Sequence, residues 1–239
     1  MRNTILAVLL LVATASAAAA FSTPERLTFT IYYTGVYAGT AVQEVRRSGD
    51  LLHVTSTARS ADWLTWLFKV EDRIESISKI VENRWSPVSY SEKIHEGPTK
   101  RDKKITFNED LTATVEDFRA KETKSVQVTS ATFDSLSCFF YTRTKTLEPG
   151  TTFSIDIYDG KTLHPAVVAV LRRETVKTAA GEFKTVVVHP QLKTGGIFDK
   201  KGELLIWMTD DARHMPVKMV SKVRIGRVTA ELTQADVNP

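Results

Sequence analysis

Arg26-Leu27-Thr28-Phe29-Thr30-Ile31-Tyr32-Tyr33 sets large apolar side chains at every second position. Leu27, Phe29, Ile31 and Tyr33 fall on one face of an extended chain, and Arg26, Thr28 and Thr30 on the other. Successive side chains of a strand point to opposite faces, so this spacing predicts a strand with one dry and one wet side. The same period runs outward along the chain: Thr40 to Arg47, Leu51 to Ala58, Ile105 with Phe107, Leu111 with Ala113 and Val115, and Phe153 with Ile155 and Ile157. It returns in Ala166 to Val176, Phe183 to His189, Leu204 to Thr209, Val217 to Ile225 and Val228 to Leu232. Between these runs stand turn residues: Gly35 and Gly39, Gly49-Asp50, Asp159-Gly160, Ala180-Gly181 and Gly226. Turn signals so closely spaced fit an antiparallel sheet or a partly closed barrel.

Two segments lose the period of two. Residues 62–68 predict a short helical turn, with Asp62 as N-cap and Trp63, Trp66 and Leu67 on one side. Residues 132–147 predict the main helix, because Phe133, Leu136, Phe140, Thr144 and Leu147 follow the three- and four-residue spacing of an apolar stripe. Pro149-Gly150 ends it. The expected fold is mainly β: a large antiparallel curved sheet or partly open barrel, with the 132–147 helix and the 62–68 turn packed on it. No linker or repeat divides residues 21–239, which read as a single domain.

The first 20 residues read as a signal peptide. Arg2 is followed by an apolar core from Ile5 to Val12 and a small-residue tract that permits cleavage near Ala20. This predicts export to the periplasm, and no later stretch is apolar enough to span a membrane as a helix. The single cysteine, Cys138, rules out an internal disulfide and reads as a small buried side chain. Formal charge is +4, from 32 Lys and Arg against 28 Asp and Glu. So mixed a balance excludes the one-sided field of a nucleic-acid binder, and Lys100-Arg101-Asp102-Lys103-Lys104 reads as a solvated strand end.

No residue pattern supports a catalytic set, a cofactor or a metal. His53, His95, His164, His189 and His214 are scattered without metal-ligand spacing, and Ser137 lacks a nucleophile elbow. Gly195-Gly196 reads as a loop or bulge. Asp210 and Asp211 are adjacent carboxylates at a strand exit, a place where Asp usually closes a turn. Asp72 falls on the apolar face of its strand, and a buried carboxylate needs a partner. Either the strand is edge-like there, or Asp72 meets a buried partner such as Arg143, beside the apolar stripe of the predicted helix; two separate surface charges are the plainer alternative. The structural polar network is thus read as Asp72, Arg143, Asp210 and Asp211. The aromatics Trp63, Trp66 and Phe68, with Phe139, Phe140 and Tyr141, are the candidate ligand-binding set, a lid over an apolar cavity or a contact for a membrane surface.

Several phrases resemble a bacterial exported family, domain of unknown function 3108. They are Tyr33-Thr34-Gly35-Val36-Tyr37-Ala38-Gly39-Thr40, Phe68-Lys69-Val70-Glu71-Asp72-Arg73-Ile74-Glu75-Ser76, Glu96-Gly97, Asp134-Ser135-Leu136-Ser137 leading to Tyr141 and Arg143, Ala180-Gly181-Glu182-Phe183, and Ile206-Trp207-Met208-Thr209-Asp210-Asp211 before Pro216-Val217. The resemblance implies export and a β-rich domain, and carries no activity. At the level of fold, the late strand-turn-strand with Trp207 and Pro216 is similar to periplasmic lipoprotein-carrier-like half-barrels, in which helices cover an apolar cavity.

These readings lead to a periplasmic, non-catalytic binding protein for an apolar or lipid-like ligand of the cell envelope. Two alternatives stand beside it: an assembly factor that binds other envelope proteins, and a carboxylate-dependent hydrolase of envelope polymers using Asp210 and Asp211.

Overall fold

The computed structural model describes residues 23–82, 84–192, 203–223 and 225–237. The signal peptide read at residues 1–20 and the Gly195-Gly196 loop lie outside them. In the first half of the chain come β1 (Glu25–Tyr33), β2 (Val36–Ser48), β3 (Leu51–Ser60), α1 (Asp62–Thr65), β4 (Glu71–Val81), β5 (Arg84–Glu96), β6 (Thr99–Phe107), β7 (Thr112–Asp117) and β8 (Glu122–Gln127). In the second come β9 (Thr132–Phe133), α2 (Ser137–Arg143), β10 (Thr152–Tyr158), β11 (Leu163–Thr178), β12 (Gly181–Leu192), β13 (Leu204–Thr209), β14 (Pro216–Lys222) and β15 (Arg227–Val237).

All the strands form one sheet, in the order β8-β7-β6-β5-β4-β3-β2-β1-β15-β14-β13-β12-β11-β10-β9. Each half of the chain is a meander, and antiparallel pairing of β1 with β15 joins the halves at the centre. The pairing is antiparallel throughout except for the two-residue β9 alongside β10. The sheet does not close into a barrel; it curls. Val45, Val54, Tyr90, Ile105 and Val115 from one wing share a core with Ile155, Val168, Val186, Val188 and Met208 from the other. Leu136 and the fully buried Phe140 lie in that core between the wings. The wings also meet at the β10–β11 turn. A Cβ on Gly160 would sit 3.2 Å from Ile105 and 3.7 Å from Val115. A second cluster joins Leu27, Phe29, Trp207, Val217 and Leu232 to Val176, Ala180 and Phe183 of the long β11–β12 hairpin.

The apolar stripe of the second half is real, but the helix is shorter than 132–147. Thr132 and Phe133 are held as a strand against Asp156 and Ile157. The carboxylate of Asp134 then takes the amide hydrogens of Leu136 (2.9 Å) and Ser137 (2.8 Å). A side chain that captures these amides fixes where the helix begins. At the other end Thr144 donates its amide to Tyr141 and Thr142, the tight turn of a closing helix, and its hydroxyl to Tyr141. At α1 the residue before the helix is Ala61, Asp62 makes no capping bond, and none of its residues is buried. Gly39, read as the end of a turn, lies inside β2; a methyl there would overlap the carbonyl oxygen of Arg59, so the close approach of two backbones requires glycine.

Candidate functional site

Most of the expected polar network is structural, with different partners. Arg143, fully buried, donates two hydrogen bonds to Glu25 of β1, at 2.7 and 2.8 Å, and a third to the carbonyl of Arg213 at 3.2 Å. Glu25 is itself 1% exposed. The expected Asp72–Arg143 pair is therefore replaced by Glu25–Arg143. The reason is register: Glu25 faces Val45, in the central rows of the sheet that α2 crosses. Asp72 lies further along β4, where it takes the amide hydrogen of His95 at 2.9 Å. Asp72 also stands beside Glu96, whose carboxyl is raised by partial burial first and by the Asp72 charge second.

Asp210 receives Arg173 at 2.9 Å. Asp211 takes the Thr209 hydroxyl at 2.7 Å and the Arg213 amide at 3.0 Å. Burial would raise the Asp211 carboxyl, but the Thr209 and Arg213 hydrogen bonds outweigh it and hold it below its ordinary value. Asp211 thus shapes the exit of β13, as a turn residue does, while Asp210 ties that exit to Arg173 of β11. Asp134 was not singled out by charge alone. It is wholly buried and takes four hydrogen bonds, from Leu136, Ser137 twice and Ser76 of β4. Burial raises its carboxyl even so. Its role is to pin the start of α2 to the inner face of the sheet. Among the described residues no cluster of His, Cys, Asp or Glu could hold a metal ion.

The six aromatics do not form one site. Phe140 is at 0% exposure, Phe139 meets its ring edge-on at 5.4 Å, and Tyr141 stacks on Phe133 at 4.5 Å and meets Trp85 at 6.1 Å. These three fill the space beneath the curled sheet. Trp63, Trp66 and Phe68 lie at the end of the sheet, with Trp66 83% exposed and Trp63 52%.

That end is a rim built from three neighbouring connections. The β1–β2 turn brings Tyr33, Val36 and Tyr37; the β3–β4 connection brings Trp63, Trp66, Leu67 and Phe68; the β14–β15 connection brings Val223 and Ile225. All nine are exposed, out of fifteen exposed large apolar side chains among the described residues. Antiparallel register sets them side by side: Tyr33 faces both Val36 and Val228, and Gly39 faces Ser60. The Tyr33 hydroxyl donates to the Ile225 carbonyl at 2.7 Å, and the Ala61 amide to the Ala38 carbonyl at 2.8 Å. Polar bonds hold the α1 segment in place. Leu64 and Thr65 donate their amides to Ala61, Phe68 donates to Leu64, and the Val70 amide donates to the Ser60 hydroxyl. Phe68 also lies against Gly97, where a methyl would overlap its ring. The frame leaves Trp66 largely and Trp63 half in water, so together they forgo roughly 2–4 kcal/mol of burial free energy.

No curated protein matches the chain. In fold it is similar to a β-barrel-like protein of domain of unknown function DUF1849 from Brucella abortus, with a TM-score of 0.59 and 10% identity over 92% of this chain and 99% of that one. Two further structures align more loosely: a protein described as exported, with a YmcC-like fold, from Bacteroides fragilis (TM-score 0.35, 12% identity, 90% and 99% covered) and a protein described as a lipoprotein from Parabacteroides distasonis (0.34, 9%, 91% and 98%). Among the described residues no helix is long and apolar enough to cross a membrane. The family model for proteins of unknown function DUF3108 matches residues 28–233, nearly the whole described sheet from β1 to β15, and the chain belongs to that family.

Proposed function

We propose that this is a non-catalytic binding protein of the cell envelope, on the periplasmic side, that takes hold of lipid through the apolar rim. The observation that carries this reading is the grouping of Trp63, Trp66, Leu67 and Ile225, all more than half exposed, on connections that polar bonds already hold. Tryptophan suits a boundary between hydrocarbon and water because it joins a large apolar body to one N–H donor. The interior supports the same choice. The space under the sheet is occupied by Phe140, Tyr141, Leu136 and their neighbours, so lipid meets the end of the sheet instead of its core.

The other two readings have less behind them. A hydrolase would need free carboxylates, whereas Asp210 is paired with Arg173 and Asp211 is engaged in holding a turn. Partner binding by strand addition would need an open sheet edge. The β8 edge carries Glu122 and Lys124, the charged side chains that guard edges, and β9 is two residues long and buried.

Co-sedimentation with phospholipid vesicles tests the proposal. Wild type is expected to pellet with vesicles. Trp63→Ser/Trp66→Ser, which loses about 3 kcal/mol of apolar transfer, is expected to bind roughly 100-fold more weakly. A correctly folded wild type that ignores every vesicle, or a double variant that binds as wild type does, overturns it.

A further inference from the structure

The sheet face next to the rim carries a charged trough of about 740 Å³. Register builds its floor: Val42, Thr57, Arg73, Lys93 and Asp102 lie in one row across β2 to β6. Arg59, Lys100 and Arg101 line it at the end nearer the rim, and Arg119 enters from the β7–β8 turn. Arg73 and Arg101 each have a carboxylate partner, Glu75 and Glu92. Arg59, Lys93, Lys100 and Arg119 form no ion pair among the described residues, and all four are exposed. Of the three acids in the lining, Glu71 is paired with Lys69 and Asp72 takes the His95 amide, leaving Asp102. Four unpaired cations converging on one concavity repel one another. A concavity in which one sign predominates also concentrates the field that draws in a counter-charge.

The chain itself links trough to rim. Arg59 and Glu71 of the trough are the last residues of β3 but one and the first of β4, and the α1 segment with Trp63 and Trp66 is the connection between them. Lys100 and Phe68 flank the same β5–β6 turn at Gly97. We infer that the trough binds a multiply charged, phosphate-bearing headgroup, that of the lipid whose apolar part the rim receives. This rests on the rim reading, and it assigns the ligand as an anionic amphiphile. Its size is too great for one phosphate, and paired Arg and Lys side chains suit several phosphoryl oxygens at once.

Two probes separate this inference from the rim proposal. Inorganic tripolyphosphate, followed by calorimetry, reports the trough alone; vesicles of phosphatidylcholine with cardiolipin, whose headgroup carries two phosphates, against phosphatidylcholine alone report trough and rim together. The trough variant is Arg59→Gln/Lys93→Gln/Lys100→Gln. An equal charge change on exposed lysines elsewhere, Lys79→Gln/Lys161→Gln/Lys177→Gln, is the control. Wild type, the control and Trp63→Ser/Trp66→Ser are expected to bind tripolyphosphate alike, and the trough variant at least tenfold more weakly. The trough variant is also expected to lose the preference for cardiolipin while still binding phosphatidylcholine. Equal weakening in the control, or undiminished tripolyphosphate binding by the trough variant, overturns the trough. Tripolyphosphate binding with no attachment to any vesicle overturns the lipid as its source and makes the trough a site for a soluble phosphate anion.

Discussion

Replacing Glu25 by Leu, or Arg143 by Met, is expected to cost about 3–5 kcal/mol, because each leaves one member of a buried ion pair without its countercharge. The geometry gives the same figure by another route. Arg143 donates two charge-assisted hydrogen bonds to Glu25, at 2.7 and 2.8 Å, and such bonds are worth roughly 1.5–3 kcal/mol each. Both groups are almost wholly out of water, so solvent screening does not weaken the pair. Against a total stability of about 5–15 kcal/mol, either variant should stay folded at low temperature with a much reduced denaturation midpoint. Urea unfolding at constant slope would measure it, in a double-mutant cycle with Glu25→Leu/Arg143→Met. The double variant should recover most of the loss, since removing both charges also removes their desolvation cost. It should stay about 1 kcal/mol short, for the Arg213 carbonyl that loses its donor. Additive single effects, or single losses below about 1 kcal/mol, would refute the claim that this pair ties α2 to the sheet.

Phe140→Ala should destabilise the protein by about 3–5 kcal/mol in the same assay, since the ring is fully buried between the two wings. Gly39→Ala should cost roughly 1–3 kcal/mol, because the clash is with the Arg59 backbone and no side chain can rotate to relieve it. Glu96 gives a pH signature by calorimetry. Its carboxyl is raised in the fold by partial burial and by Asp72, so wild type loses stability as pH rises from the ordinary carboxylate range through that raised value. Glu96→Gln should therefore raise the melting temperature at pH 7, with the gain shrinking towards pH 4; a gain that is larger at pH 4 would contradict the assignment.

The sheet was legible because alternation is a local property. Leu27 and Phe29 are fully buried as their spacing requires, and Asp159 and Gly160 close the β10–β11 turn through hydrogen bonds from Lys161 and Thr162 to Asp159. The strands β5 and β8, rich in Ser, Lys and Glu, carry the period too faintly to be read. The stripe of Phe133, Leu136, Phe140 and Leu147 identified the right buried face but not the helix ends, which depend on what Asp134 and Thr144 bond to. Arg143 was legible as a buried cation, whereas Glu25 lies 118 residues away and only the folded register shows it as the partner. The trough is invisible for the same reason. Its row spans five strands, and the run from Lys100 to Lys104 looks like an ordinary wet strand end until Lys93 and Arg59 are seen beside it. Trp63 and Trp66, three residues apart on one short segment, were the one part of the proposed lipid contact that local sequence could carry.

Quenching of tryptophan emission by phosphatidylglycerol brominated along its acyl chains tests the central claim most directly. Of the four tryptophans, Trp85 and Trp207 are buried, at 7% and 8% exposure, so only Trp63 and Trp66 can reach the hydrocarbon. The account predicts strong quenching on vesicle binding, and its loss in Trp63→Phe/Trp66→Phe, which keeps the rim apolar and still binds. Bound protein whose emission the bromine atoms leave unchanged, or quenching that survives in the double variant, would contradict it.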